Sequence, residues 1–414
     1  MPPRDTAAES RDVLTLTMIS GLGPVLIARL LAAFESPASI FTQSAQALAS
    51  VRGISLSRAR AILDQRAAAE SLARDEAVRA ADLGVVIIGR SDPAYPPLLL
   101  TISDAPPILY LRGLIDHAGT DQYPLALVGS RDCTHYGMEQ TERFAGALAS
   151  SGITIVSGGA RGIDTAAHRA ALRLGGRTIA VLGCGLQRAY PEENARLFDE
   201  IAQGRGAVIS ELPMTTPPSA ENFPARNRII SGLSLGVLVV EAGNRSGSLI
   251  TARLAAEDHG REVFALPGRV DSAASEGTLQ LIKIGGATLV TAPGDILEAL
   301  HAPARHLHGG THAARYPARQ DDGEDRAAAA QDERAEPAPR LFGAPRPGAP
   351  AGTPLTPSQR QLIDLLKDPL PIDDLLRLSA QEIGPLRADL TLLELRRLVT
   401  RRGSAFVAAK LKSE

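Results

Sequence analysis

The sequence has no tryptophan, and aromatic residues make up only 3% of its 414 positions. Its hydrophobic share is 44%, so alanine, leucine, isoleucine and valine must fill the cores. The chain also lacks any apolar run near the roughly 20 residues of a membrane span, and its polar N-terminus has no signal-peptide pattern. These absences predict a cytoplasmic protein that makes no membrane contact.

Cysteine and lysine are also scarce. The two cysteines, Cys133 and Cys184, lie outside any CxxC pair, which argues against zinc and against a disulfide framework. A group of histidines near residues 301–312 lacks a carboxylate or thiol partner, so we expect no metal site. Only four of the 44 basic residues are lysines, and the net charge is -2. Any site for a polyanion must therefore be local and built on arginine.

The length is too great for one ordinary domain, and residues 1–80 read as a first, helical one. Apolar positions recur at helical spacing in Val25 to Phe34 and Ala59 to Leu72. Small-residue turns precede both stretches, at residues 21–24 and 52–55. Two interpretations remain open for these turns: a helix-hairpin-helix module that holds a nucleic-acid backbone through its amides, or an ordinary bundle with glycine turns.

Residues 81–302 change period, because short apolar runs now alternate with helical stretches. This alternation predicts an α/β core with a parallel sheet and helices on both faces, in which ligands bind beyond the carboxyl ends of the strands. The runs are Val85 to Ile88, Leu125 to Val128, Ile153 to Val156, Thr178 to Leu182, Ala207 to Ser210, Gly236 to Val240, Val263 to Leu266 and Ala287 to Val290.

The last two segments differ sharply in composition. Residues 303–355 are rich in alanine, proline, glycine and charged residues with almost no apolar periodicity, which predicts a disordered linker. Residues 356–414 read as three helices and a short hairpin, the pattern of a winged helix. DNA binding and protein contact are equally open for this domain.

The first unusual strand end is Gly129-Ser130-Arg131. Glycine lets the backbone pass close to a ligand, the serine can donate to a phosphate oxygen, and the arginine is a bidentate cation. The alternative is a plain strand-to-helix turn with a surface arginine. On its own this motif is weak.

A richer motif runs from Ser157 to Asp164 and includes Gly158, Gly159, Arg161 and Gly162. Glycines between a strand and a helix allow consecutive amides to form an anion nest, which predicts a phosphate site, although tight packing would also need them. The sequence matches neither a P-loop nor GxGxxG. Asp164 and His168 share a helix face and suggest either an acid-base pair or a structural pair, with Asp164 capping the helix and hydrogen-bonded to His168. We favour the structural pair.

Two further strand ends carry candidate contacts. In the stretch from Phe223 to Ile230, a base can stack on Phe223 while Arg226, Asn227 and Arg228 hold phosphates; alternatively, the ring is core and the arginines pair with acids. Ser246 and Ser248 open a later helix and are possible additional phosphate contacts. Donors from four strand ends exceed what one phosphate requires.

In this order, the motifs resemble those of the DNA-processing protein A (DprA/Smf) family. Further matching pieces are Tyr136-Gly137, Gly183-Cys184-Gly185 with Tyr190-Pro191, Ser246 to Thr251 and Pro267-Gly268, over Leu125 to about Val290. The resemblance implies an extended Rossmann-like fold with a sterile-alpha-motif-like domain before it and a winged helix after it. It also implies a homodimer that binds single-stranded DNA, protects it and loads the RecA recombinase in natural transformation, with no enzymatic activity and no cofactor.

The resemblance places the single-stranded DNA site at the same strand ends. Its main rival is a nucleotide-phosphate hydrolase of the phosphoribohydrolase-like class, and a third reading is an adaptor with a purely structural core. The expected DNA contacts are Gly129, Ser130, Arg131, Gly158, Gly159, Arg161, Phe223, Arg226, Asn227 and Arg228, with Ser246 and Ser248 as additional phosphate contacts.

Overall fold

The computed structural model describes residues 6–34, 36–308, 357–366, 370–379, 386, 390, 393, 398–402 and 405–408. The chain divides into two compact units, residues 1–341 and residues 342–414. In the described part of the chain, no helix is both long enough and apolar enough to cross a membrane.

The first unit begins with a helical module. Serines start three of its helices, because the side chains of Ser36, Ser44 and Ser55 each accept a hydrogen bond from a backbone amide three residues later. Leucine and isoleucine side chains from most of these helices meet in one buried cluster. The helices are α1 (Thr6–Thr17), α2 (Pro24–Ala33), α3 (Pro37–Ile40), α4 (Ala45–Ala49), α5 (Leu56–Asp64) and α6 (Arg66–Asp82).

A mixed sheet follows, with the order β1-β2-β6-β5-β4-β3-β7-β8-β9. The strands are β1 (Val86–Gly89), β2 (Ile108–Gly113), β3 (Pro124–Val128), β4 (Thr154–Ser157), β5 (Thr178–Val181), β6 (Gly206–Ser210), β7 (Gly236–Val239), β8 (Glu262–Ala265) and β9 (Thr288–Leu289). Among these described strands, only β2 runs in the opposite direction to the rest. Strand order reverses between β3 and β7, and such a switch point opens a crevice at the carboxyl ends of the strands.

Helices cover both faces of the sheet. They are α7 (Pro97–Leu100), α8 (His135–Ser150), α9 (Ile163–Arg173), α10 (Ala195–Glu200), α11 (Asn222–Gly232), α12 (Ser248–Arg253), α13 (Glu276–Lys283) and α14 (Pro293–His308). Side chains alternate along β3: Leu125 and Leu127 pack in the cluster that includes α8 and α9, whereas Ala126 and Val128 pack in the one that includes α11 and α12. The predicted α/β core is confirmed.

The helical module packs directly on this core. Val13 and Leu14 of α1 share a buried cluster with Tyr110 of β2 and with Met214. The carboxylate of Glu76 on α6 accepts a hydrogen bond from the Met214 amide. The predicted boundary at residue 80 falls near the end of α6, but residues on both sides of it belong to one compact unit.

The second unit contains α15 (Pro357–Leu365), β10 (Leu370–Pro371), α16 (Ile372–Ser379), β11 (Val399–Arg402) and β12 (Ala405–Ala408). Its strands form a small antiparallel sheet in the order β10-β12-β11, and leucines of its helices fill the core. Helices followed by a hairpin are the arrangement expected of a winged helix. Of the predicted linker, residues 303–308 continue α14, and residues 309–355 lie outside the described residues.

Candidate functional site

A cavity of about 830 Å³ opens at the switch point of the sheet. Its walls come from the loops after β3 and β7 and from the first turns of α11 and α12. Most of the predicted contact residues lie here: Gly129, Ser130, Arg131, Phe223, Arg226, Asn227, Ser246 and Ser248 line the cavity.

The loop after β3 is clamped in place. The Ser130 amide donates to the Glu241 carbonyl at 2.8 Å, and the Ser130 carbonyl accepts from the Ile163 amide at 3.2 Å. A Cβ atom on Gly129 would lie 2.6 Å from Cγ1 of Ile163, so glycine is required there. This clamp fixes the backbone from which Arg131 projects into the cavity.

Arg131 stacks on an aromatic pair. Its guanidinium carbon lies 4.9 Å from the ring centroid of Phe223, and that centroid lies 5.6 Å from the centroid of Tyr190 at an interplanar angle of 37°. The Tyr190 side chain is exposed and Phe223 is half-buried, so both rings reach solvent. We call Arg131, Phe223 and Tyr190 the stacking trio.

Two cations of the cavity have no acidic partner within the described ranges. Neither Arg131 nor Arg245 has a carboxylate within salt-bridge distance, although other surface arginines of the first unit do. Both side chains are exposed and line the cavity. Uncompensated guanidiniums at an open cavity are suited to phosphate oxygens.

The glycine-rich loop after β4 is organised by a buried carboxylate. Oδ2 of Asp164 accepts hydrogen bonds from the amides of Gly158 at 3.1 Å and of Ala160 at 3.3 Å. Burial raises the pKa of the Asp164 carboxyl, and the nearby Arg226 offsets only part of the rise. The amides that the sequence assigned to an external phosphate are therefore occupied by the chain's own anion.

His168 does not bond to Asp164 as the structural pair required. Its Nδ1 lies 2.7 Å from the Thr178 hydroxyl, which itself donates to the Ile155 carbonyl at 2.6 Å. The single proton of the Thr178 hydroxyl is used in the bond to Ile155. In the contact between His168 and Thr178, Nδ1 of His168 is therefore the donor and the hydroxyl oxygen is the acceptor. Burial lowers the pKa of His168 to about 3, so the imidazole is neutral at physiological pH.

Arg226 lies under the cavity rather than in its mouth. It is 5% exposed and donates to the carbonyls of Gly158, at 2.6 Å, and of Val181. Burial lowers the pKa of its guanidinium to about 10, which leaves it charged at neutral pH. Its contacts tie α11 to the ends of β4 and β5 and so hold Phe223, one turn earlier, at the cavity wall.

The other two predicted arginines are engaged with acids. Arg228 is buried, is paired with Glu211 and lies 3.4 Å from Asp104, and it lines a separate depression. Arg161 is exposed but forms a bidentate pair with Glu193. A phosphate would have to displace these carboxylates, so the placement of neither residue supports its predicted contact.

The remaining predicted residues shape the far wall. Nδ2 of Asn227 donates to the Gly247 carbonyl at 3.3 Å, and the hydroxyls of Ser246 and Ser248 lie 2.8 Å apart. Sequence reasoning missed Tyr190 and Arg245. Tyr190 lies in a motif already named and Arg245 adjoins Ser246, but no local pattern showed that either side chain would reach the cavity, because that placement depends on tertiary contacts.

No group of three or more histidine, cysteine, aspartate or glutamate side chains in the described ranges could hold a metal ion. Burial raises the pKa of both thiols, Cys133 and Cys184, so both favour the protonated form. The cavity offers guanidiniums, hydroxyls and aromatic rings, and the carboxylates that line it are the exposed Asp132 and the amide-bound Asp164.

Comparison with known proteins places these residues in a family. The family model described as DNA recombination-mediator protein A matches residues 86–301, and the model of a SAM-like helix-hairpin-helix tandem matches residues 13–67. Protein Smf of Escherichia coli (strain K12) is 54% identical over 206 residues, which are 50% of this chain and 54% of that protein. The match thus spans about half the length of the E. coli relative.

Two other relatives are covered more completely. Protein Smf of Synechocystis sp. is 41% identical over 291 residues, which are 70% of this chain and 72% of that protein. The X-ray structure of DNA processing protein A from Streptococcus pneumoniae superposes with a TM-score of 0.61 at 36% identity, covering 70% of this chain and 97% of that one. Because the family model matches more than half of the chain, including every residue of the cavity, the chain belongs to the DNA recombination-mediator protein A family.

Proposed function

We propose that the cavity binds single-stranded DNA and that the chain is a recombination mediator of natural transformation. The observation that carries this proposal is the stacking trio at the mouth of the cavity, beside guanidiniums with no acidic partner among the described residues. Aromatic rings stack on unpaired bases of any sequence, and arginines hold the phosphates between them. Duplex bases, already stacked on each other, cannot use such rings.

The DNA contacts in this proposal are Arg131, Phe223, Tyr190 and Arg245, with hydroxyls of Ser130, Ser246 and Ser248. Arg226, Gly158, Gly159 and Asn227 act by positioning, because their polar groups or their lack of a side chain serve contacts within the chain. Binding then depends on a few placed groups rather than on bulk charge, since the whole chain is slightly acidic.

The proposal extends to partners and excludes catalysis. We propose that the chain acts as a homodimer in the cytoplasm, that it protects the bound strand and loads RecA on it, and that it turns over no nucleotide and needs no cofactor. A hydrolase would need Asp164 or His168 as a free acid or base, but the carboxylate is held by two amides and the imidazole is fully buried. Release of product from a nucleoside monophosphate, lost in Asp164→Ala, would instead support the phosphoribohydrolase-like alternative.

The decisive experiment is a titration of labelled oligo-dT at several salt concentrations. We expect binding that weakens steeply as salt rises, because phosphate contacts release counterions. Arg131→Ala should weaken binding, lower the slope of log K against log salt by about 0.7 and leave the thermal midpoint unchanged. The exposed Arg169 on α9 provides a control, since Arg169→Ala should bind like the wild type. Salt-independent binding of oligo-dT, or wild-type binding of oligo-dT by Arg131→Ala, would contradict the proposal.

The partner proposals need separate tests. Light scattering should give twice the chain mass of 43.5 kDa. The lag before RecA filaments form on an oligonucleotide should shorten when the protein is added. A monomeric mass would contradict the homodimer, and an unchanged lag would contradict RecA loading. Neither result would affect the proposed DNA site.

A further inference from the structure

The second hairpin turn of the helical module, residues 52–55 between α4 and α5, concentrates positive charge. From Val13 to Leu63 the sequence contains four arginines and a single acid, Glu35, whereas the whole chain carries more acids than bases. The function proposed for the cavity uses none of these arginines.

Three of the arginines meet at this turn. Nη1 of Arg29, on α2, donates to the Arg52 carbonyl at 3.1 Å, and Nη1 of Arg58, on α5, donates to the Gly53 carbonyl at 2.8 Å. Two guanidiniums are thus held against adjacent peptide groups, and the exposed Arg52 stands on the turn itself. We call Arg29, Arg52 and Arg58 the hairpin patch.

Glycine keeps the patch open. Gly53 has a φ of +89°, and a Cβ atom there would lie 3.0 Å from Leu26 and 3.1 Å from Nη1 of Arg29. Neither the left-handed backbone nor the space suits a side chain, so none covers the turn.

The charges of the patch are uncompensated. Within the described ranges, no carboxylate lies within salt-bridge distance of its three arginines, whereas Arg66 and Arg79 on α6 are paired with Glu70 and Glu76. Backbone carbonyls orient the guanidiniums but do not neutralise them. Several free donors on each guanidinium remain for an anion.

The geometry points to a second nucleic-acid contact, in which the hairpin patch binds the phosphate backbone of duplex DNA. The module offers nothing for an unpaired base: in residues 6–82 the only aromatics are Phe34, half-buried, and Phe41, buried. A surface with cations and no stacking platform suits a duplex, which presents phosphates and hides the faces of its bases. This contact is independent of the cavity, so the chain could hold a single strand and a duplex at different places.

The test uses a labelled blunt duplex of roughly 20 base pairs, two turns of B-DNA, and labelled oligo-dT, each titrated against the full chain by fluorescence anisotropy. Arg52→Glu should weaken duplex binding about tenfold and leave oligo-dT binding unchanged, since its side chain makes no hydrogen bond or ion pair within the described residues. Replacing all three patch arginines by alanine should lower the salt slope for the duplex by about 3.

Matched variants separate this site from the cavity. Arg74→Glu changes an exposed arginine of α6 in the same module and should bind duplex like the wild type. Arg131→Ala should lose oligo-dT and retain the duplex. The proposal is overturned if Arg52→Glu binds duplex normally, if Arg74→Glu weakens it equally, or if Arg131→Ala loses both ligands together. Tighter binding of duplex RNA than of duplex DNA would also overturn it.

Discussion

At the scale of single residues, Gly129 shows how closely the site is packed. An added Cβ atom would lie 2.6 Å from Cγ1 and 2.9 Å from Cβ of Ile163. Both atoms are close to the backbone, so the side chain has little room to move aside. Gly129→Ala should therefore lower the free energy of unfolding by about 1–3 kcal/mol, as overpacking does in cores. Chemical denaturation measures this. Gly247→Ala is the control, because nothing lies within 4 Å and its φ is -63°; an equal loss there would refute the steric argument.

The buried imidazole of His168 predicts a dependence of stability on pH. The pKa of His168 is lowered to about 3 in the folded chain, far below the unfolded value near 6.5. Between these two pH values the unfolded chain binds a proton at His168 and the folded chain does not. Stability should fall as pH drops from about 6.5 towards 3, with a slope approaching roughly 1.4 kcal/mol per pH unit for this group. His259, whose pKa burial lowers to about 4, adds a smaller effect.

Thermal unfolding between pH 7 and pH 4 tests this prediction. His168→Gln should reduce the fall in midpoint over that range, whatever its stability at pH 7. The exposed His135 supplies a control, because His135→Gln should follow the wild-type curve. If both variants follow it, the titration of His168 does not govern acid stability.

Some residue roles were readable from the sequence and others were not. The glycine-rich loop was found because glycines at a strand end are locally unusual, and Phe223 because an aromatic ring beside two arginines is unusual; the structure places Phe223 in the first turn of α11 rather than at a strand end. The partner of His168 is Thr178 on β5, the strand that follows α9, and helix spacing cannot reveal such a contact. The sequence could have separated the roles of Arg226 and Arg228. Two residues apart on a helix, their side chains point about 200° apart, so only one of them could face the cavity.

At the scale of elements, Arg226 holds α11 in its position against the sheet. Arg226→Ala should lower the free energy of unfolding by about 3–5 kcal/mol, because it leaves the Asp164 carboxylate buried without its cation. Oligo-dT binding should weaken with it, since Phe223 lies one turn earlier. Denaturation and titration of the same preparation separate these effects. Lost binding at a wild-type midpoint would make Arg226 a DNA contact after all.

The sheet itself was largely predictable. All eight apolar runs became strands within one or two residues, because buried parallel strands are continuous in valine, isoleucine and leucine. The missed strand, β2, follows two prolines and pairs antiparallel with both neighbours, so it does not fit the alternation that identified the rest. Its effect is to join β1, and with it the helical module, to the edge of the sheet.

At the scale of the whole molecule, the two ends of the chain should tolerate deletion differently. A chain that ends at His308 should keep its main thermal transition and its oligo-dT affinity, because the first unit retains its core and cavity. Deleting residues 1–82 should cause aggregation, because it uncovers Ile108, Tyr110 and Met214. Size-exclusion chromatography and circular dichroism distinguish these results. A folded, monodisperse chain without the helical module would show that its packing on β2 is dispensable.

The guanidinium of Arg131 covers a face of the Phe223 ring on which a base would stack. A base that stacks on the covered face of Phe223 must first displace the guanidinium, at a cost of about 0.5–1 kcal/mol for a pair at an exposed site. The evicted cation recovers that cost only if the same ligand brings it a phosphate. A nucleoside brings no anion and free phosphate brings no ring, so each gains one half of the exchange. A nucleotide, alone or within a strand, brings both groups at once, so this contact favours nucleotides over nucleosides and over free phosphate.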